Sequence, residues 1–106
     1  MKLFDLSGKV SVVSGAAQGL GRSTALALAE CGADVMLIDR NLAGAEATAS
    51  RIREQGRRAA VSACDVSDPD AITELFRQVD QEFGRVDFLG NIAGDGFLAR
   101  PEHLTI

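Results

Sequence analysis

Val10-Ser11-Val12-Val13-Ser14-Gly15-Ala16-Ala17-Gln18-Gly19-Leu20-Gly21 carries the strongest fold signal in the sequence. A short β-branched run passes into a glycine-rich turn, and the turn opens a helix. Glycine lets backbone approach a ligand with no Cβ in the way and accepts dihedrals that other residues avoid. The helix that begins near Gly19 aims unpaired N–H groups and its positive dipole end at the same spot. A pyrophosphate fits such a place.

Outward from this turn, β-branched runs alternate with helical periods. Lys9 to Ser14 reads as the first strand, and Gly19 to Cys31 as a helix with Leu20, Thr24, Ala27, Leu28 and Cys31 on one face. Gly32 is placed to end it. Asp34 to Ile38 is a second strand closed by Asp39. Asn41 caps a second helix whose inward positions read as Leu42, Ala45, Ala49 and Ile52, with Gly56 as the stop. Arg58 to Cys64 is a third, less strongly patterned strand. Asp68 caps a third helix with Pro69 in its first position, and Ile72, Leu75, Phe76, Val79 and Phe83 form its apolar stripe. Gly84 closes it, and Val86 to Gly90 is the fourth strand. From Asn91 onward the chain reads as loop.

Strands alternating with helices imply βαβ crossovers and a parallel sheet covered on both faces. The fold class is therefore α/β, a Rossmann-type doubly wound parallel sheet that is incomplete, with about four strands and three helices. At 106 residues, the whole of 1–106 reads as one domain. The formal net charge of −4 argues against nucleic acid as a partner. The local group Arg51, Arg53, Arg57 and Arg58 reads as a solvated helix face and turn. No run approaches the ~18 apolar residues of a membrane span, and the N-terminal residues lack the pattern of a signal peptide. No membrane partner and a cytoplasmic location are the expectations. Cys31 and Cys64 read as reduced, buried small hydrophobes, and no spacing suggests a metal site.

Ligands of open parallel sheets bind beyond the carboxyl ends of the strands. The glycine turn follows the first strand. Asp39 follows the second, 18 residues past Gly21 and near the ~20-residue offset of an acid that binds a ribose. Asp65-Val66 follows the third strand, and Asn91-Ile92-Ala93-Gly94 follows the fourth. A carboxylate at Asp39 accepts hydrogen bonds from both hydroxyls of an adenosine ribose and repels a 2′-phosphate. Each residue alone has a plainer role, as a turn geometry or a helix cap. Their joint placement at four strand ends points to a dinucleotide.

The spacing Gly15-x-x-x-Gly19-x-Gly21 resembles the cofactor turn of the short-chain dehydrogenase/reductase family. Asn91-Ile92-Ala93-Gly94 is similar to that family's Asn-Asn-Ala-Gly, with Ile92 replacing a side chain that can hydrogen-bond. The resemblance spans nearly the whole chain. It implies that Gly15, Gln18, Gly19, Leu20 and Gly21 surround the pyrophosphate, that Asp39 selects NAD over NADP, and that Asp65 and Val66 contact the adenine. It implies that Asn91, Ala93 and Gly94 support the central sheet and line the ribose side. Arg40 reads as stacking over the adenine, although a guanidinium there also tolerates a phosphate. Gly96, Phe97 and Leu98 border the expected substrate cleft.

In the family, a Ser orients the carbonyl and a Tyr handles the proton, with a Lys four residues later lowering the Tyr pKa. A free phenol near pKa ~10 needs such a cation to work at neutral pH. This chain has no tyrosine, and its only lysines are Lys2 and Lys9. His103 reads as surface. The family's chains are more than twice this length. The expectation is thus the NAD-binding portion of an oxidoreductase that moves a hydride between nicotinamide and a small alcohol or ketone, inactive alone and with no catalytic residue of its own. An edge left open at the fourth strand favours self-association, as a homo-oligomer, or partial disorder. The alternative is a truncated, non-catalytic binding or interaction module, or an inert product, and a nucleotide-dependent enzyme such as a methyltransferase is a third.

Overall fold

The computed structural model describes residues 5–65 and 67–91. Seven elements run in order: β1 (Val10–Ser14), α1 (Gly19–Glu30), β2 (Asp34–Ile38), α2 (Leu42–Glu54), β3 (Ala59–Ser62), α3 (Pro69–Glu82) and β4 (Phe88–Asn91). All three pairings in the sheet are parallel, and the strand order is β3-β2-β1-β4. The chain steps outward from β1 to β3, then returns through α3 to the far side of β1. Direction therefore reverses between β1 and β4, which is the kind of switch point where open α/β sheets receive ligands.

Alternation along the strands sorts the core into two layers. Val10, Val12, Met36 and Ile38 face α3 and pack with Ile72, Leu75, Phe76 and Val79. Val13, Val35 and Leu37 face the other way, onto Ala25 and Ala29 of α1 and Ala49 and Ile52 of α2. Phe76, Leu75 and Ile52 are nearly or wholly excluded from water, each worth about 1.5–3 kcal/mol of transfer free energy. Phe83 packs at the margin of the α3 layer, with the Arg58 guanidinium 5.0 Å from its ring centre.

Four expectations change. Strands β1 and β3 are shorter than expected, and β4 begins two residues later, at Phe88, and takes in Asn91, expected in the loop. The buried face of α1 is Gly21, Ala25 and Ala29, whereas Leu20 is 69% exposed and Ala27 is exposed. The fully buried positions of α1 carry residues without bulk, and Leu26 and Leu28 are only partly buried against the same layer. Leu42, expected inward, is half exposed, and Thr48 is buried in its stead. Leu42 is the first residue of α2. Both cysteines are free and half-buried, less covered than expected.

Candidate nucleotide site at the strand ends

Register aligns the last residues of all four strands in one row, Ser62 beside Ile38, Ile38 beside Ser14, and Ser14 beside Asn91. Whatever follows each strand therefore shares one rim. After β1 the chain bends sharply, with the N–H groups of Gly15 and Ala16 both donating to the Ile38 carbonyl, at 2.8 and 3.3 Å. Gly15 and Gly19 have φ of +70° and +60°, a region that costs other L-residues about 1–2 kcal/mol. Gly21 has a different reason to be glycine: a Cβ there would land on the Gly15 carbonyl oxygen, far inside van der Waals contact. The first turn of α1 is folded directly against the start of the loop.

The loop is then tied to α2 and β2. Thr48 donates its hydroxyl to the Ala16 carbonyl at 2.9 Å in a buried contact. Gly44 allows α2 to approach Ala17 so closely that an added Cβ would sit 2.8 Å from the Ala17 Cβ. Asp39 accepts from the Ala17 N–H at 3.0 Å through one oxygen and from the Asn41 N–H at 2.9 Å through the other. Two ionised oxygens offer about four acceptor positions, so two remain for other donors. Asp39 is thus part of the loop's support as well as a candidate ligand contact.

The helices differ at their starts. Asn41 caps α2 by accepting from the Gly44 N–H, and Asp68 caps α3 by accepting from the Asp70 N–H, each at 3.0 Å. Gln18 sits in the extended conformation of a cap residue at α1 but supplies no side-chain bond, and the first turn carries no acidic residue. A missing cap costs about 0.5–2 kcal/mol. The amides that a cap would have satisfied face the same rim as Asp39. Their donors, the positive helix end and the glycines suit an anion.

Farther along the rim, Arg40 and Asp65 join the ends of β2 and β3 in an ion pair of 2.9 Å. The other Asp65 oxygen accepts from the Ser67 N–H at 2.9 Å and from its hydroxyl at 2.7 Å. These Ser67 bonds and the Arg40 charge hold the Asp65 carboxyl below its ordinary pKa. Of the expected site residues, Gly15, Gln18, Gly19, Leu20, Gly21, Asp39, Arg40 and Asp65 gather here, and Asn91 ends β4 beside Ser14. Val66, Ala93 and Gly94 lie outside the described residues, as do Ile92, Gly96, Phe97, Leu98 and His103. Sequence reading missed Thr48 and Gly44, whose only signals are a small residue and a hydroxyl on an otherwise ordinary helix. Among the described residues no His, Cys, Asp and Glu group could hold a metal ion.

The family model for short chain dehydrogenase matches residues 9–104, nearly the full chain. The chain belongs to the short chain dehydrogenase family. D-threitol dehydrogenase from Mycolicibacterium smegmatis is 41% identical over 103 residues, which cover 97% of this chain and 40% of that protein. A metagenomic short-chain oxidoreductase solved in complex with NADP is 40% identical with a TM-score of 0.80, covering 92% of this chain and 44% of its own. NAD+-bound xylitol dehydrogenase is 38% identical with a TM-score of 0.76, covering 79% of this chain and 32% of its own. This family member therefore spans less than half the length of these relatives. No described helix is long and apolar enough to cross a membrane.

Proposed function

We propose that this chain binds a nicotinamide dinucleotide, NAD in preference to NADP, as the cofactor-binding portion of an oxidoreductase acting on an alcohol or ketone. The observation that carries the reading is Asp39, which is hydrogen-bonded to the glycine loop and still has acceptor capacity beside an uncapped helix start. The residues fit the group. Backbone N–H groups of Gly19, Leu20 and Gly21 would meet the pyrophosphate, and Asp39 the ribose hydroxyls. Asp65 would lie toward the adenine. The nicotinamide, when bound, supplies a position that gives or accepts hydride.

No tyrosine is present, and Lys2 and Lys9 both precede the loop. The proposal accordingly gives these 106 residues binding and orientation but no proton transfer. A cytoplasmic setting belongs to the same proposal and is supported by the two free thiols. A second reading, a non-catalytic interaction module, draws support from Phe88, 47% exposed on a strand at the sheet edge. Self-association of the chain into a closed dimer without nucleotide binding would favour that reading.

The test is a fluorescence titration of the chain with NADH and NADPH. NADH emission is expected to change at or below millimolar concentration. NADPH should bind at least about tenfold more weakly, because its 2′-phosphate would face the Asp39 carboxylate. An unchanged NADH signal at millimolar concentration removes the proposal, and equal affinities remove the NAD preference.

A further inference from the structure

Arg40 follows the carboxylate assigned to the ribose, so its guanidinium is within a side chain's length of any phosphate placed on the 2′ position. Left free, it would partly cancel the repulsion from Asp39, since a guanidinium is well matched to phosphate oxygens. It is not free. Its Nη2 lies 2.9 Å from an Asp65 oxygen at the end of the neighbouring strand. Asp65 in turn is not a loose side chain, because its other oxygen is fixed by the Ser67 N–H and hydroxyl. The pair spans the gap between two strand ends and commits the cation to a protein carboxylate.

We propose that Asp65 is a specificity-determining positioning residue, which holds Arg40 away from the ribose 2′ position and thereby sharpens discrimination against NADP. The inference rests on the nucleotide reading above and deepens it. Asp39 rejects the 2′-phosphate directly, and Asp65 withholds a rim cation that would welcome it. The pair is largely solvated, with side-chain exposures of 75% for Arg40 and 43% for Asp65, so its strength sets a modest ceiling on the effect.

The experiment measures dissociation constants for NADH and NADPH with the wild-type chain and with D65N, D65E, R40A and the D65N/R40A double variant. In D65N the NADPH-to-NADH ratio of dissociation constants should fall by up to about fivefold, the ceiling set by an exposed ion pair. D65E should retain the wild-type ratio. R40A should move both affinities together and leave the ratio in place, because the guanidinium is already withheld. D65N/R40A should then match R40A, which separates release of Arg40 from mere loss of a negative charge. An unchanged ratio in D65N overturns the proposal, as does an equal fall in the R40A background. Selective loss of NADPH binding in R40A overturns it without any Asp65 variant, since it would show Arg40 already on the phosphate. A wild-type chain that binds neither nucleotide removes the underlying reading and this proposal with it, and is seen before any variant is made.

Discussion

Gly15, Gly19 and Gly21 stand within seven residues, yet Gly21 is glycine on different physical grounds from the other two. A Cβ on Gly19 meets nothing within 4 Å, so Gly19→Ala costs only the strain of φ +60°, about 1 kcal/mol. A Cβ on Gly21 collides with the backbone of Gly15, which cannot move aside without unthreading the loop. Gly21→Ala should therefore destabilise by about 1–3 kcal/mol as an overpacked contact and exceed Gly19→Ala in urea unfolding. The reverse order would mean that the loop and helix are not in close contact. Thr48→Val tests the third support of the loop. It keeps the shape but leaves the Ala16 carbonyl without its 2.9 Å donor, which should cost about 1–2 kcal/mol. In a domain of this size that is a fall of roughly 4–8 °C in Tm for each kcal/mol.

Helix α1 is less stable at its start than it need be, and that is where the elements trade stability against binding. Gln18→Asp places a capping acceptor in a backbone conformation already suited to it, at φ −162° and ψ 170°. The variant should gain about 1 kcal/mol of stability. It should also weaken NADH binding, because a carboxylate then occupies the amides assigned to the pyrophosphate. A gain in Tm with undiminished NADH affinity would place the pyrophosphate elsewhere. This element was legible in the sequence up to its rotation. The apolar runs and the glycines marked β1, the turn and the start of α1, since a strand and a tight turn are short-range patterns. The buried face was not legible, because leucines and alanines are scattered around α1. Gly21, Ala25 and Ala29 are four residues apart and reveal their contact only once the sheet is in place. In α3 the stripe Ile72, Leu75, Phe76 and Val79 was legible because large residues alone fill the gap to β1 and β2. Asp39 and Asp65 could be placed at strand ends from the sequence. Their partners could not, since Ala17 is 22 residues from Asp39, and Arg40 meets Asp65 only through the register of β2 with β3.

At the scale of the whole molecule, β4 joins the sheet last along the chain, after the longest return, and charge helps to fasten it. The Asp87 N–H donates to the Val10 carbonyl and the Asp87 carboxylate accepts from the Val10 N–H, both at 2.8 Å. The side chain also pairs with Arg85 at 2.6 Å. Arg85, with help from the Val10 N–H and Lys9, lowers the Asp87 pKa, and Arg77 does the same for Glu74. Asp65 shifts in the same direction. Groups whose pKa is lower in the folded chain than in the unfolded one contribute stability above the unfolded value. That stability is lost as pH falls through the folded value, because the unfolded chain then takes up more protons. With unfolded carboxyls near ~4, unfolding free energy should be flat through the neutral range and fall below about pH 4–5. Cys64 bends the curve at the other end. Burial, with the nearby Asp65 and Asp68 charges, pushes its thiol up, so its contribution is present at neutral pH and lost in the alkaline range. Asp87→Asn leaves an acceptor for Val10 but removes the charge. It should lower stability at pH 7 and flatten the acid limb, while Cys64→Ala flattens only the alkaline limb. Urea unfolding of the three proteins from pH 3 to 10 checks both limbs at once. An acid limb as steep in Asp87→Asn as in the wild type would mean that the attachment of β4 to β1 does not depend on that charge, and that the Val10 hydrogen bonds hold the strand by themselves.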